Sequence, residues 1–288
     1  MRGERGYTVV ELVIATAVML AMTSAVMTLL HDGLVRTPVL EDAADLHQRA
    51  RVAVDAIAAD LRAAGNGTPT GPLAAVLPAV EPRGAGGAPG SASAGAVTIR
   101  YVPALAARSR LAQALEPASS VALLEPAGCP RLTTACGFTS GMRAVVFDPG
   151  GQMDGVLIAA IGPGLLALSA SAAPRSVAYG AGSEIAQIVE ASYVVDPSTR
   201  QLRRSEGGGT FAIADYVEAL TFEYFGDSLA VLPISVFQDG PFRSPGPRMF
   251  DADLLRVRAI RATLRFASGN PRSPALAATL TVSLRTGG

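Results

Sequence analysis

The chain has 288 residues, enough for one large domain or two small ones, and only 17% of them are charged, below the roughly 25% of an ordinary soluble domain. Twenty-four basic residues balance 24 acidic ones, so no global field recruits nucleic acid or an anionic surface. Every basic residue is arginine, which excludes a P-loop and Schiff-base catalysis, since both need a lysine amine.

Residues 7–30 are uncharged except for Glu11. Leu12 to Leu30 alone would form a helix of about 28 Å, matching a hydrocarbon core of roughly 30 Å. Arg2 and Arg5 precede the stretch and Asp32 follows it, so the positive-inside rule leaves the first six residues in the cytoplasm and puts the bulk outside. A cleavable secretory signal competes with this reading, with small-x-small sites at Ala15-Thr16-Ala17 or around Ser24. The apolar run is longer than a usual signal core, however. A carboxylate among apolar side chains is also costly unless something pairs with it, and neither a signal nor a plain anchor explains Glu11.

The stretch Gly6-Tyr7-Thr8-Val9-Val10-Glu11, followed by that apolar helix, resembles the type III signal of type IV pilins and pseudopilins. The resemblance implies a leader of residues 1–6, cleavage between Gly6 and Tyr7 by a membrane aspartyl peptidase, and N-methylation of Tyr7. It implies an assembly role for Glu11, with Thr8 beside it: a cationic amine on the Tyr7 of an incoming subunit pairs with the carboxylate, an attraction strengthened in low dielectric. Tyr7 departs from the commoner phenylalanine or methionine at this position.

Beyond His31-Asp32-Gly33, Ala43, Leu46, Ala50, Ala53, Val54, Ile57 and Leu61 recur at spacings of three and four, predicting an amphipathic helix over 31–66 that packs on a globular domain. Glu41, Asp42, Asp45, Arg49, Arg51, Asp60 and Arg62 are expected on its solvated face. Gly33 and Pro38 are the expected sites of a kink or melted turn, and Gly65-Asn66-Gly67 is the stop. The phrase Ile57-Ala58-Ala59-Asp60-Leu61-Arg62-Ala63-Ala64-Gly65 resembles minor pilins of the PilW type and the J-type minor pseudopilin of type II secretion.

Residues 67–96, rich in Gly, Pro, Ala and Ser, read as a flexible loop. Pro89 stands where a third glycine would complete a dinucleotide fingerprint. From 97 to 288 short apolar runs alternate with turns: VTIRYV, SVALLE, RAVVFD, GVLIAAI and LLALS predict strands of a mainly antiparallel sheet. IAQIVEASYVVDPSTRQLRR predicts a hairpin turning at Asp196-Pro197-Ser198-Thr199. Leu220, Phe222 and Tyr224 share one face of the next strand. Around Ala259-Ile260 the apolar phase shifts from odd to even positions, predicting a bulge, and Leu276 to Leu284 alternates as a last strand. These C-terminal segments also resemble the PilW-type and J-type proteins, which leaves roughly 70–180 without a counterpart.

Cys129 and Cys136 enclose six residues, unlike a C-x-x-C metal or redox motif. An exported domain favours a disulfide between them, with two buried thiols as the alternative. His31 and His47 are the only histidines and both lie in the helix, so no Ser-His-Asp or Cys-His arrangement forms in the sheet domain unless it folds back on that helix. The carboxylates of FDPGGQMDG and DADLL lack the spacing of a calcium loop. Arg256, Arg258, Arg261 and Arg265 are candidates for a nucleic-acid face, but aromatic residues are not interleaved with them. The sequence therefore predicts an α+β, pilin-like fold without catalytic, cofactor or metal residues. The resemblance implies a minor pilin or pseudopilin held in the bacterial inner membrane, its globular domain in the periplasm. Its partners would be other pilins or pseudopilins, prepilin peptidase and the membrane assembly platform. A membrane-anchored periplasmic binding module is the alternative of another class.

Overall fold

The computed structural model describes residues 8–67, 77–83, 95–125, 129, 135–169, 177–243, 250–268 and 273–284. One helix, α1 (Val9–Ala63), runs for 55 residues. Thr8 caps its N-terminus, and the chain leaves its C-terminus through a turn in which Gly65 and Gly67 take φ of 71° and 72°. A side chain at Gly67 would also collide with Val102, 2.8 Å from the position of its Cβ. The helix does not break at Gly33 or Pro38, although Pro38 contributes no N–H. Beside it the Thr37 hydroxyl donates to the Gly33 carbonyl at 2.8 Å.

Among the described residues seventeen strands follow. In chain order they are β1 (Val80–Pro82), β2 (Ala96–Tyr101), β3 (Arg108–Arg110), β4 (Val121–Leu123), β5 (Arg143–Phe147), β6 (Met153–Gly162), β7 (Leu165–Ser169), β8 (Glu184–Gln187) and β9 (Val189–Asp196), then β10 (Gln201–Glu206), β11 (Gly209–Ala214), β12 (Val217–Phe225), β13 (Val231–Leu232), β14 (Phe242–Arg243), β15 (Phe250–Asp251), β16 (Ala259–Phe266) and β17 (Leu276–Ser283). They pair antiparallel in a five-stranded sheet β1-β2-β9-β10-β11, a four-stranded sheet β13-β12-β16-β17, a small β14-β15 ribbon and a six-stranded sheet β3-β8-β5-β6-β7-β4. The architecture is α+β, one long N-terminal helix on mostly antiparallel sheets.

The lower half of α1 lays Leu46, Ala50, Ala53, Ile57 and Leu61 against the five- and four-stranded sheets, in one core with Ile99, Tyr193, Leu220, Phe222, Ile260 and Phe266. This is the stripe expected from the 3–4 spacing. The six-stranded sheet lies between β2 and β9 in the chain and closes a second core of its own around Leu111, Leu115, Ile158, Leu166 and Ile185. A third cluster, including Leu77, Val102, Phe147 and Ile188, fills the junction between the two parts.

Four expectations change. The stretch 67–96 contains β1, and the remainder of it outside 77–83 and 95–96 lies beyond the described residues apart from Gly67. The run IAQIVEASYVV is not one strand: Ile188 divides it into β8 and β9, which belong to different sheets. The phase break near Ala259 is an element boundary, because Val257 caps a 3-10 turn (Ala252–Arg256) and β16 keeps regular register on β12 from Ala259 to Arg265, the one irregularity lying at the other end of the pair, between Val217 and Ala219 of β12. Finally, Asp60 is only 7% exposed and does not solvate the helix. The expected turn after Asp196 and the alternation of the last strand are as read, with Thr279, Thr281 and Ser283 on the exposed side of β17.

Candidate functional site

Among the described residues, nothing covers the upper half of α1. Among the described residues, fourteen large apolar side chains from Val9 to Leu34 are exposed, among them Val9, Leu20, Leu29 and Leu34 at 71–77%. Burying each fully is worth about 1.5–3 kcal/mol, so together they withhold about 20–40 kcal/mol. A domain is stable by only about 5–15 kcal/mol in total, so this helix requires a cover of lipid or other helices. It is long and apolar enough to cross a membrane.

Three threonine hydroxyls on this half are satisfied within the helix. The hydroxyls of Thr16, Thr23 and Thr28 donate to the carbonyls of Val13, Met19 and Ser24 at 3.0, 2.8 and 2.9 Å. Glu11 is held at the top by a reciprocal capping box. Its backbone N–H donates to Thr8 Oγ1 at 3.3 Å, while its Oε2 accepts from the Thr8 N–H at 2.9 Å and the Thr8 hydroxyl at 3.0 Å. Both bonds converge on Oε2. Oε1 has no partner among the described residues, so one lone-pair-bearing oxygen faces outward at the helix end. Thr8 and Glu11 are thus brought together, while Gly6 and Tyr7 lie outside the described residues.

A disulfide joins Cys129 and Cys136, with Cα atoms 4.7 Å apart. Cys136 is buried in the second core with Ala135 and Phe138, far in sequence from the helix. His31 and His47 are exposed on α1. The loop carboxylates serve their own backbones: Asp148 Oδ1 accepts the Gln152 N–H at 2.9 Å, and buried Asp251 accepts those of Gly240 and Asp253 at 2.7 and 2.9 Å. Among the described residues no three His, Cys, Asp or Glu side chains converge as metal ligands. The arginine stripe is largely neutralised, since Arg256, Arg258 and Arg261 pair with Asp253, Asp227 and Glu223.

The sequence reading missed the group that ties the helix to the sheets. Asp60 Oδ2 accepts from the Tyr193 hydroxyl and from Arg204 Nε, each at 2.7 Å, and Oδ1 accepts from Arg204 Nη2 at 3.2 Å. Tyr193 donates alternatively to the Ala56 carbonyl at 3.0 Å, and Arg204 also pairs with Glu206. Burial and the bond to Asp60 push the Tyr193 hydroxyl well above its usual range. The bond to Asp60 likewise raises the Arg204 guanidinium. A signal existed: Asp60 is seven residues beyond Ala53 and three beyond Ile57, on the apolar stripe itself.

No family model, curated protein or solved structure matches the chain. What the fold defines is a single apolar N-terminal helix packed by its second half on a β-sheet domain, an arrangement compatible with pilin-like architecture.

Proposed function

We propose that this chain is a minor subunit of a type IV pilus or of the related type II secretion pseudopilus. It is made as a precursor, cut after Gly6, methylated on Tyr7, held in the inner membrane by residues 7–30, and drawn into a filament with sister subunits. The observation that carries the reading is the bare helix with Glu11 near its start, whose Oε1 has no partner among the described residues while Thr8 occupies Oε2. An incoming Tyr7 amine bound at Oε1 would neutralise the charge without dismantling the cap, so docking costs no helix end. The Asp60 pin and the core around Ile57 then transmit the pull on the helix to the sheets. Function in this reading is assembly, with no turnover, and the sheet surfaces select partner subunits.

Mass spectrometry of the N-terminal peptide from membrane-extracted protein tests it. The expected peptide begins at N-methylated Tyr7. A peptide beginning at Met1, or after Ala17, would remove the protein from this class. Glu11→Ala should be processed and membrane-inserted as the parent is, yet be absent from sheared filaments.

A further inference from the structure

The strand edges are protected unequally. β1 is three residues with Pro82, β3 is Arg-Ser-Arg, β4 and β13 are three and two residues long, and β17 packs against α1. Short length, charge, proline and a covering helix are the usual devices against edge pairing. β11 also runs beside α1, but it lacks the other devices: Gly-Thr-Phe-Ala-Ile-Ala has six residues, no charge and no proline, and its Phe211 is 59% exposed.

Its hydrogen-bonding groups can be assigned. Gly207 and Gly208, at φ of 60° and 91°, make a two-residue turn into β11, so Glu206 and Gly209 are the bonded pair that flanks it. Alternation makes Ser205–Thr210 and Arg203–Ala212 the non-bonded pairs of the register. The N–H and C=O groups of Thr210 and Ala212 therefore turn away from β10, and among the described residues no strand lies beyond them. Alongside runs a groove of about 280 Å³ between this edge and α1, walled by Asp45, Gln48, Arg49 and Val52 opposite Ala212 to Asp215.

We infer that the β11 edge and this groove form a strand-addition site for an extended segment of a partner chain, apolar at alternate positions and carrying a basic residue. Only an extended backbone matches four outward groups spaced two residues apart. Phe211 and half-exposed Val52 offer apolar contact to its alternate side chains. Arg49 is held between Asp45 and Asp215 at 2.7 and 2.9 Å, so the three charged walls sum to −1 and complement a cation. A second copy does not fit. Antiparallel pairing of β11 with itself needs a two-fold axis normal to the sheet. That axis would reverse a helix lying along the sheet face, while both helices are anchored in one membrane.

The test uses the full chain in lipid nanodiscs and capped octapeptides of alternating threonine and valine, one with a single arginine and one with glutamate in its place. The arginine peptide should slow amide exchange at Thr210 and Ala212 by at least about ten-fold while leaving the inward amide of Phe211 unchanged. Methylating the peptide amides on the edge that faces β11 should abolish this, and methylating the other edge should not. The glutamate peptide should bind more weakly, and Asp45→Asn should narrow the difference. Absence of protection at millimolar peptide, equal effects of the two methylations, or protection of these amides by self-association alone would each overturn the assignment. None of these measurements depends on leader processing or filament growth, so the filament proposal can fail or survive independently.

Discussion

Asp60→Ala should destabilise the helix–sheet core far more than the loss of any exposed ion pair. The substitution removes three hydrogen bonds from a carboxylate that is 7% exposed. Stranding one partner of a buried pair costs about 3–5 kcal/mol. Here Arg204 keeps Glu206 and 20% side-chain exposure, and Tyr193 keeps the Ala56 carbonyl, which reduces the expected loss to about 2–3 kcal/mol. Glu223→Ala is the control, because it breaks a pair with Arg261 whose side chains are 52% and 43% exposed and should cost about 0–1 kcal/mol. Urea unfolding of the detergent-solubilised chain, followed by circular dichroism, measures both. Replacing the pair together, as Asp60→Leu with Arg204→Met, should recover most of the loss because no buried charge is left stranded, Glu206 having 37% of its side chain exposed. If Asp60→Ala costs no more than Glu223→Ala, or if the double variant is no better than the single, the pin does not hold the helix to the sheet.

Tyr193 is raised by burial and by its bond to Asp60, so the folded state holds this proton more tightly than the unfolded state does. The stability it contributes is complete below the ordinary tyrosine value of about 10 and is lost as pH rises above it. An unfolding series from pH 8 to 12 should show that decline, and Tyr193→Phe should reduce its slope, leaving the part due to Tyr224 and Tyr101, which burial also raises. Replacing both Cys129 and Cys136 by serine should cost about 2.5 kcal/mol by the loop-entropy relation, and hydrogen exchange should show it in β5–β8 and not in β9 or β16. Gly67→Ala combines φ of 72° with a 2.8 Å approach to Val102, and should lower stability by about 1–3 kcal/mol in the same urea assay.

The long helix was legible because 19 uncharged residues and then a 3–4 spacing leave little else to form. Strands with β-branched runs, such as β2, β5, β9, β12 and β17, were legible for the same local reason. Sheet membership was not. Ile188 resembles its neighbours in the sequence, yet it divides two sheets, and only distant pairing partners determine that, 37–43 residues away for β8 and 88–98 for β9. Three-residue strands such as β1 and β3 carry no period to detect, and β11 is masked by three consecutive glycines at its start. Asp60 was assigned to solvent because charge usually marks the outer face, whereas its position on the stripe carried the opposite information. Glu11 stood out as a lone carboxylate among apolar residues, but the assembly role proposed for it and Thr8 came only through resemblance. Their capping box was written in the Thr-x-x-Glu spacing itself.

The six-stranded insertion is tied to the sheet beneath α1 by more than the two chain connections that lead into it. Arg100 of β2 lies between Glu81 of β1 at 2.5 Å and Glu190 of β9 at 2.8 Å. Glu190 in turn binds Arg143 of β5 at 2.7 Å, so an alternating ladder of charge crosses from one sheet into the other. The backbone crosses at the same place, since the Ile188 N–H donates to the Arg143 carbonyl at 3.0 Å, and the apolar junction of Val102, Phe147 and Ile188 closes beside it. Arg100 has only 12% of its side chain exposed, so this ladder is less screened than a surface pair. A hinge would need few buried contacts and solvated backbone at the crossing, and the crossing has neither. The insertion is therefore carried as a rigid extension of the sheet that α1 supports, and whatever its surface meets is positioned by the helix.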